Sequence, residues 1–321
     1  RCPNMELDRR AFLVGLGLSA ASAAASTQEK SVGNPRAIQA DASRHFQIVS
    51  GPPADRKSTN YPAYGDPLLP SPLLKLPLGA VQPEGWLKRQ LDLMLDGITG
   101  RMPEFGAFVR PDNGWLHPDS EVRYWEEVPY WFRGFYPLAV LTQDPRCLKI
   151  AHQYIEAILA SAQDDGYFGP RKLKSVQGKD GRVISDLGPH FLLIPALIHH
   201  AECTGDPRIL SLLFHFFQFC RNLPEEAFIP ISKALLRGWG GADFGDIRPF
   251  YQQERGGDAI PLILWVYDRK PEPWLLDLAH RVYHRLRPPW SEWLNHHGVM
   301  FSQRFAAPGY YSSVSRDTQH M

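Results

Sequence analysis

The chain has 321 residues, a formal net charge of +1 and a 44% share of hydrophobic residues. That length can bury a large core and hold one big domain or two ordinary ones. Near-neutral charge gives no electrostatic reason to expect nucleic acid or an anionic membrane as partner.

Residues 1–26 read as an export signal region, with Met5 as the start and Arg1 to Asn4 preceding it. Asp8-Arg9-Arg10-Ala11-Phe12-Leu13 leads into a short apolar run and then small residues with A-x-A cleavage options. A charged, an apolar and a small-residue segment in that order make a secretory signal. The paired arginines before Phe-Leu resemble the twin-arginine signal, so a periplasmic or extracellular location is expected. The apolar run falls short of the roughly 20 residues a span needs, and no later stretch supplies one. Residues 27–75 are rich in Ser, Pro, Gly and Asp and read as a linker or wrapping arm.

From residue 76 the pattern turns helical. Pro83-Glu84-Gly85 opens a helix with Trp86 or Leu87, Leu91, Met94, Leu95 and Ile98 at helical spacing. Helices over 129–141 and 148–163 flank Gln143-Asp144-Pro145, and the second carries a stripe of Ala151, Tyr154, Ile155, Ile158 and Leu159. Helices over 190–203 and 209–220 flank Thr204-Gly205-Asp206-Pro207. Helices over 259–267 and 274–286 flank residues 268–273, and Leu275, Leu278, Ala279, Val282 and Leu286 share one face. A last helix is expected over 298–314.

The turns recur about every 60 residues and then after a shorter gap, each with Asp or Glu beside Pro, which stops one helix and starts the next. Stacked hairpins form an open solenoid or a closed α/α toroid, and long, varied connections such as 166–186 and 223–253 favour the toroid. The expected fold is therefore all-α: a signal and an irregular linker, then an incomplete (α/α)6 toroid domain over 76–321. About four of six hairpins are expected, the last without its second helix, so one side of 298–314 would lack a partner and the chain would stop inside the ring.

The aromatic content is 12%, with 9 Trp. Such residues mostly form core, and a sugar site also uses flat apolar faces beside polar groups. None of the 4 cysteines forms a C-x-x-C pair. Cys203 and Cys220 read as opposite ends of one helix, about 20 Å apart and too far for a disulfide. The internal cysteines read as lone buried thiols.

Several segments resemble the β-L-arabinofuranosidase-like hydrolases, glycoside hydrolase family 127. They are Leu78-Gly79-Ala80-Val81-Gln82-Pro83-Glu84-Gly85-Trp86-Leu87, Pro129-Tyr130-Trp131-Phe132-Arg133-Gly134 with Leu138-Ala139, and Gln163-Asp164-Asp165-Gly166-Tyr167. Asp268-Arg269 with 274–279, and His297-Gly298-Val299, are similar too. The resemblance implies an (α/α)6 barrel followed by β-domains and an exported hydrolase of β-L-arabinofuranosides or related plant-derived sugars. It also implies zinc held by one Glu and three Cys, one thiolate attacking the anomeric carbon and a separate Glu serving as acid and base. The cysteines of this chain do not match that set. No metal site is expected from its own residues, and the chain alone is expected to be inactive by that route.

His190, in Gly188-Pro189-His190, aligns with a sugar-contacting histidine of the family, against the alternative of a hydrogen-bonded core histidine. His297 is a second sugar contact by resemblance, whereas His296 reads as exposed. Asp258 is either a helix N-cap or a ligand contact. Tyr167, in a rim turn, reads as lining the cleft. Glu126-Glu127 beside Trp125, and Asp164-Asp165, are adjacent acids that point in different directions, and they read as solvated or structural. Two other readings remain: another α/α-toroid carbohydrate enzyme using two carboxylates about 5 to 9 Å apart, or a non-catalytic helical-hairpin binding protein.

Overall fold

A computed structural model describes residues 67–69, 75–121, 126–177, 183–224, 227, 248–286 and 298–316. The chain divides into two units, Arg1–Ile48 and Val49–Met321, and every described residue belongs to the second. The export signal region and His297 lie outside the described residues.

The described residues are all-α apart from one small ribbon. Helices α1 (Gly85–Asp96) and α2 (Ile98–Phe105) come first, followed by a 3-10 turn at Ala107–Val109. The expected hairpins then appear as α3 (Glu127–Thr142) with α4 (Pro145–Ala160), α6 (Gly188–Thr204) with α7 (Pro207–Asn222), and α8 (Arg248–Arg269) with α9 (Pro273–Arg285). Between α4 and α6 lie a single turn, α5 (Arg171–Lys174), and the two-residue strands β1 (Val176–Gln177) and β2 (Val183–Ile184). These strands pair antiparallel, Val176 opposite Ile184. Two short helices, α10 (Gly298–Phe305) and α11 (Ala307–Ser315), close the described chain.

The hairpin turns form for local reasons. Asp144 caps α4 by accepting from the Cys147 amide at 2.9 Å, and Asp206 caps α7 by accepting from the Arg208 amide at 3.0 Å. Proline follows each acid inside the first turn, where its missing N–H costs no hydrogen bond. On the other side of the turns, Gln143 and Gly205 end α3 and α6 in the left-handed conformation, at φ 54° and 72°.

The first helices of the three hairpins pack in a row, α3 on α6 and α6 on α8. The second helices lie against them, with α4 touching α7 and α9 packed along α8. Helix α6, in the middle, buries residues all round: Phe191, Leu192, Leu193, Ile194, Ala196 and Leu197 are each at most 2% exposed. The outer helices bury one stripe. In α4 this is Ala151, Tyr154, Ile155 and Ile158, and in α9 it is Leu275, Leu278, Ala279 and Val282, as their spacing predicts.

Four expectations need correction. Helix α8 begins ten residues before Asp258, so Asp258 lies inside the helix and is not its N-cap. The expected entry helix breaks at Gly97 into α1 and α2, with Trp86 77% exposed and Leu95 half-buried against the core. The last expected helix breaks at Ala306, beside Pro308. Cys203 and Cys220 stand on different helices, α6 and α7, both as free thiols, and Cys203 is half-buried.

Part of the region read as a wrapping arm packs on the helices. Leu68 is buried, the Leu69 amide donates to the Ser313 carbonyl at 3.1 Å, and Arg316 Nε donates to the Pro67 carbonyl at 2.6 Å. Large exposed apolar side chains cluster at the two ends of the helix series. Trp86, Leu93, Ile98 and Phe105 lie on α1 and α2, and Val299, Phe305 and Tyr310 on α10 and α11. No helix among the described residues is long and apolar enough to cross a membrane.

Candidate functional site

The structure brings together two of the residues singled out in the sequence. His190, in the first turn of α6, meets Tyr167 with ring centroids 5.2 Å apart. Trp115 and Phe168 meet the same imidazole in edge-to-face arrangements, and Phe216 of α7 stacks on it at 5.0 Å. Nε2 of His190 lies 2.7 Å from the Phe168 carbonyl. Burial pushes its pKa down to about 4, although the carbonyls of Phe168 and Asp186 oppose the shift. The ring is therefore neutral and fully enclosed.

Tyr167 is also fully buried, and its hydroxyl donates to the Pro170 carbonyl at 2.6 Å. Gly166 before it sits at φ 93°, with its Cα so close to α7 that a Cβ would lie 2.1 Å from the His215 carbonyl oxygen. That contact fixes the rim turn and turns Tyr167 inward. His190 and Tyr167 thus form the packed floor beneath the turn and present no surface to a ligand in this conformation. Asp165 pairs with Lys174 at 2.5 Å, whereas Asp164 is exposed. Asp258 lies on α8 beside Gly256 and Gly257, where α9, α10 and α11 approach closely.

A cleft of about 490 Å³ opens at the short-turn end of the first two hairpins. Gly79 and Gln82 form one wall, and Tyr136, His152, His200 and Cys203 line the helices opposite. Tyr136 lies 2.9 Å from Nδ1 of His200, and Nε2 of the same ring lies 3.4 Å from the Asp206 carboxylate. Arg208 then pairs with Asp206 and with Glu156, at 2.6 and 2.7 Å. Its hydrogen bonds pull the Asp206 pKa down to about 2, against the opposing effect of burial. An ionised Asp206 can only accept, so His200 donates through Nε2 and receives the Tyr136 hydroxyl at Nδ1. Burial lowers the His200 pKa and raises that of Tyr136. The phenol is therefore a hydrogen-bonding group and not a nucleophile at neutral pH.

A second buried polar group centres on Glu202, whose side chain is 3% exposed. It accepts from Lys75 at 2.9 Å and from Trp265 Nε1 at 3.0 Å, with Arg269 at 3.8 Å. Nearby Asp268 has its pKa raised to about 7 by burial, only partly offset by Arg269. Spacing did not reveal either group, because Tyr136 and His200 are 64 residues apart and Glu202 meets Lys75 and Trp265 across 127 and 63 residues.

The described residues do not fit a zinc–thiolate centre. Cys147, Cys203 and Cys220 lie on α4, α6 and α7, and burial raises the pKa of each thiol, to about 11 for Cys147. No three His, Cys, Asp or Glu side chains converge among the described residues. Comparison with known proteins found no matching family model, curated protein or solved structure.

Proposed function

We propose that this chain contributes part of the sugar-binding helical ring of an exported glycoside hydrolase acting on β-L-arabinofuranosides or related plant-derived sugars. One observation carries the reading: the segments that resemble that family lie in or beside a series of stacked helical hairpins, the architecture that the resemblance implies. Pro129-Tyr130-Trp131-Phe132-Arg133-Gly134 forms the start of the first helix α3. Gln163-Asp164-Asp165-Gly166-Tyr167 follows the second helix of that hairpin, and Asp268-Arg269 with 274–279 makes the turn of the third. The row α3–α6–α8, backed by second helices, supports the toroid. Exposed apolar faces at the two ends of the series are surfaces that ring closure would cover.

The reading assigns sugar contact to this chain and bond cleavage to residues outside the described ones, because the described thiols stand on three separate helices with their pKa raised by burial. The test is calorimetric titration of the full chain with a β-L-arabinofuranoside, alongside a hydrolysis assay on a chromogenic form. Saturable binding without turnover is the expected result. Absence of binding at about 10 mM sugar, far above ordinary affinities, defeats the reading. Turnover abolished by thiol alkylation would defeat the assignment of cleavage to other residues.

A further inference from the structure

His280 and His284 lie one turn apart on α9, and their ring centroids are 4.1 Å apart. Residues four apart on a helix share a face, and paired histidines at this spacing are a recurrent two-ligand grip on zinc. Both are solvent-exposed, so an ion can reach them. A third donor comes from another helix. The Tyr311 hydroxyl, on α11, lies 2.5 Å from Nδ1 of His280 and 3.4 Å from Nε2 of His284. Tyr283 stacks on the Tyr311 ring at 3.9 Å and 9° from parallel, which fixes where that oxygen can sit.

We propose that His280, His284 and the Tyr311 oxygen form a binding site for one borderline divalent transition-metal ion, with zinc as the type, and that the ion ties α11 to α9. Two imidazoles and one oxygen suit zinc, whereas magnesium and calcium take all-oxygen sets. Bonds of about 2.0 to 2.1 Å at tetrahedral angles place donor atoms roughly 3.3 Å apart. The His284 to Tyr311 separation of 3.4 Å already matches. The His280 to Tyr311 separation of 2.5 Å must open by roughly 0.8 Å, a small swing for an exposed ring. One hydroxyl proton serves one imidazole, and a ring that instead faces the oxygen with its own N–H has its lone pair on the other nitrogen. That ring turns its lone pair to the ion by changing tautomer, with no net proton released. Water completes the coordination shell.

The test uses the full chain, stripped with chelator and desalted, then titrated with zinc chloride and separately with magnesium chloride. Calorimetry is expected to show one saturable zinc site, with a rise in Tm that a chelator reverses and no response to magnesium. His280→Gln and His284→Gln are each expected to weaken zinc binding by about tenfold or more, and Tyr311→Phe by a smaller factor of about three. Because the chain carries 12 histidines, the double variant His280→Gln/His284→Gln decides the location. Zinc affinity and Tm response equal to the parent chain would overturn the proposal. So would the absence of saturable binding by the parent chain up to about 1 mM zinc.

Discussion

The imidazole of His190 stacks on the ring of Phe216, with centroids 5.0 Å apart and planes 17° from parallel. A charged ring is disfavoured there, since the imidazole is fully buried, with Nε2 on the Phe168 carbonyl and Nδ1 without a hydrogen-bond partner. Its pKa falls from 6.5 to about 4 on folding, chiefly through burial. The unfolded chain therefore binds more protons between those values, and stability falls as pH drops from about 6.5 towards 4. The size of that loss is about 3 kcal/mol. Urea midpoints measured from pH 7.5 to 4.5 should show the decline, and His190→Phe should make it shallower, with the remaining slope due to His199, which burial also lowers to about 4, even though the change leaves the Phe168 carbonyl without its partner. An equal slope in the two proteins would refute the assignment.

Asp206 serves two purposes, capping α7 and receiving His200. Asp206→Ala should cost about 1 to 2 kcal/mol, the usual range for a lost cap, while Asp206→Asn keeps an acceptor for the Arg208 amide and should cost less. Its folded pKa lies below the ordinary carboxylate value because Arg208 bonds it. Its contribution is thus present above about pH 3.8 and is lost as pH falls towards 2, clear of the His190 window. Denaturant melts of the two variants at pH 7 and 3 read both effects. Equal losses for Asn and Ala at pH 7 would remove the cap from the explanation.

The hairpin turns were readable because their signals are local: Asp144-Pro145 and Asp206-Pro207 each carry a capping acid and a proline in adjacent positions. The start of α8 was not readable. Arg255-Gly256-Gly257-Asp258 has the composition of a loop, yet α9, α10 and α11 approach it so closely that only small residues fit. On α1 periodicity marks an apolar face without showing how much of it is covered: Leu95 packs half-buried against the core, whereas Trp86 is exposed. The Tyr136–His200 contact joins residues 64 apart in the chain and exists only because α3 packs on α6. His190 was legible as a residue of interest. Its enclosure by Trp115 and Phe216 depends on loops and a helix far from it in sequence.

Thiol reactivity offers an independent reading of the site. Cys147 lies in the first turn of α4, where the helix dipole favours a thiolate, but burial and nearby Asp144 raise its pKa to about 11. Cys220 is more deeply enclosed and is raised further. At pH 8 both should react with a disulfide reagent at least about 100-fold more slowly in the native chain than in denaturant, with Cys203 faster than either. Mass-mapped labelling over time measures this. Rapid native modification of Cys147 would reopen a nucleophilic role for it.

Two helical glycines should respond to alanine in opposite directions, because propensity and packing oppose each other differently at each. Gly134, on the exposed side of α3, has nothing within 4 Å of an added Cβ. Gly134→Ala should therefore gain most of the helix propensity difference, about 0.5 to 1 kcal/mol. Gly257, buried in α8, offers the same gain, but its Cβ would lie 2.8 Å from the Gln303 carbonyl oxygen and 3.2 Å from the Arg304 Cα. Those atoms belong to the backbone of α10 and cannot swing aside as a side chain would. Overpacking of that kind costs about 1 to 3 kcal/mol, which outweighs the propensity term and makes Gly257→Ala destabilising. Gly256→Ala falls between them, since the nearest obstacle, at 2.8 Å, is the Cδ2 methyl of Leu286. Thermal unfolding of the three variants should rank them Gly134→Ala, Gly256→Ala, Gly257→Ala in descending Tm. A Gly257→Ala protein as stable as the parent would mean that α8 does not pack this closely on α10.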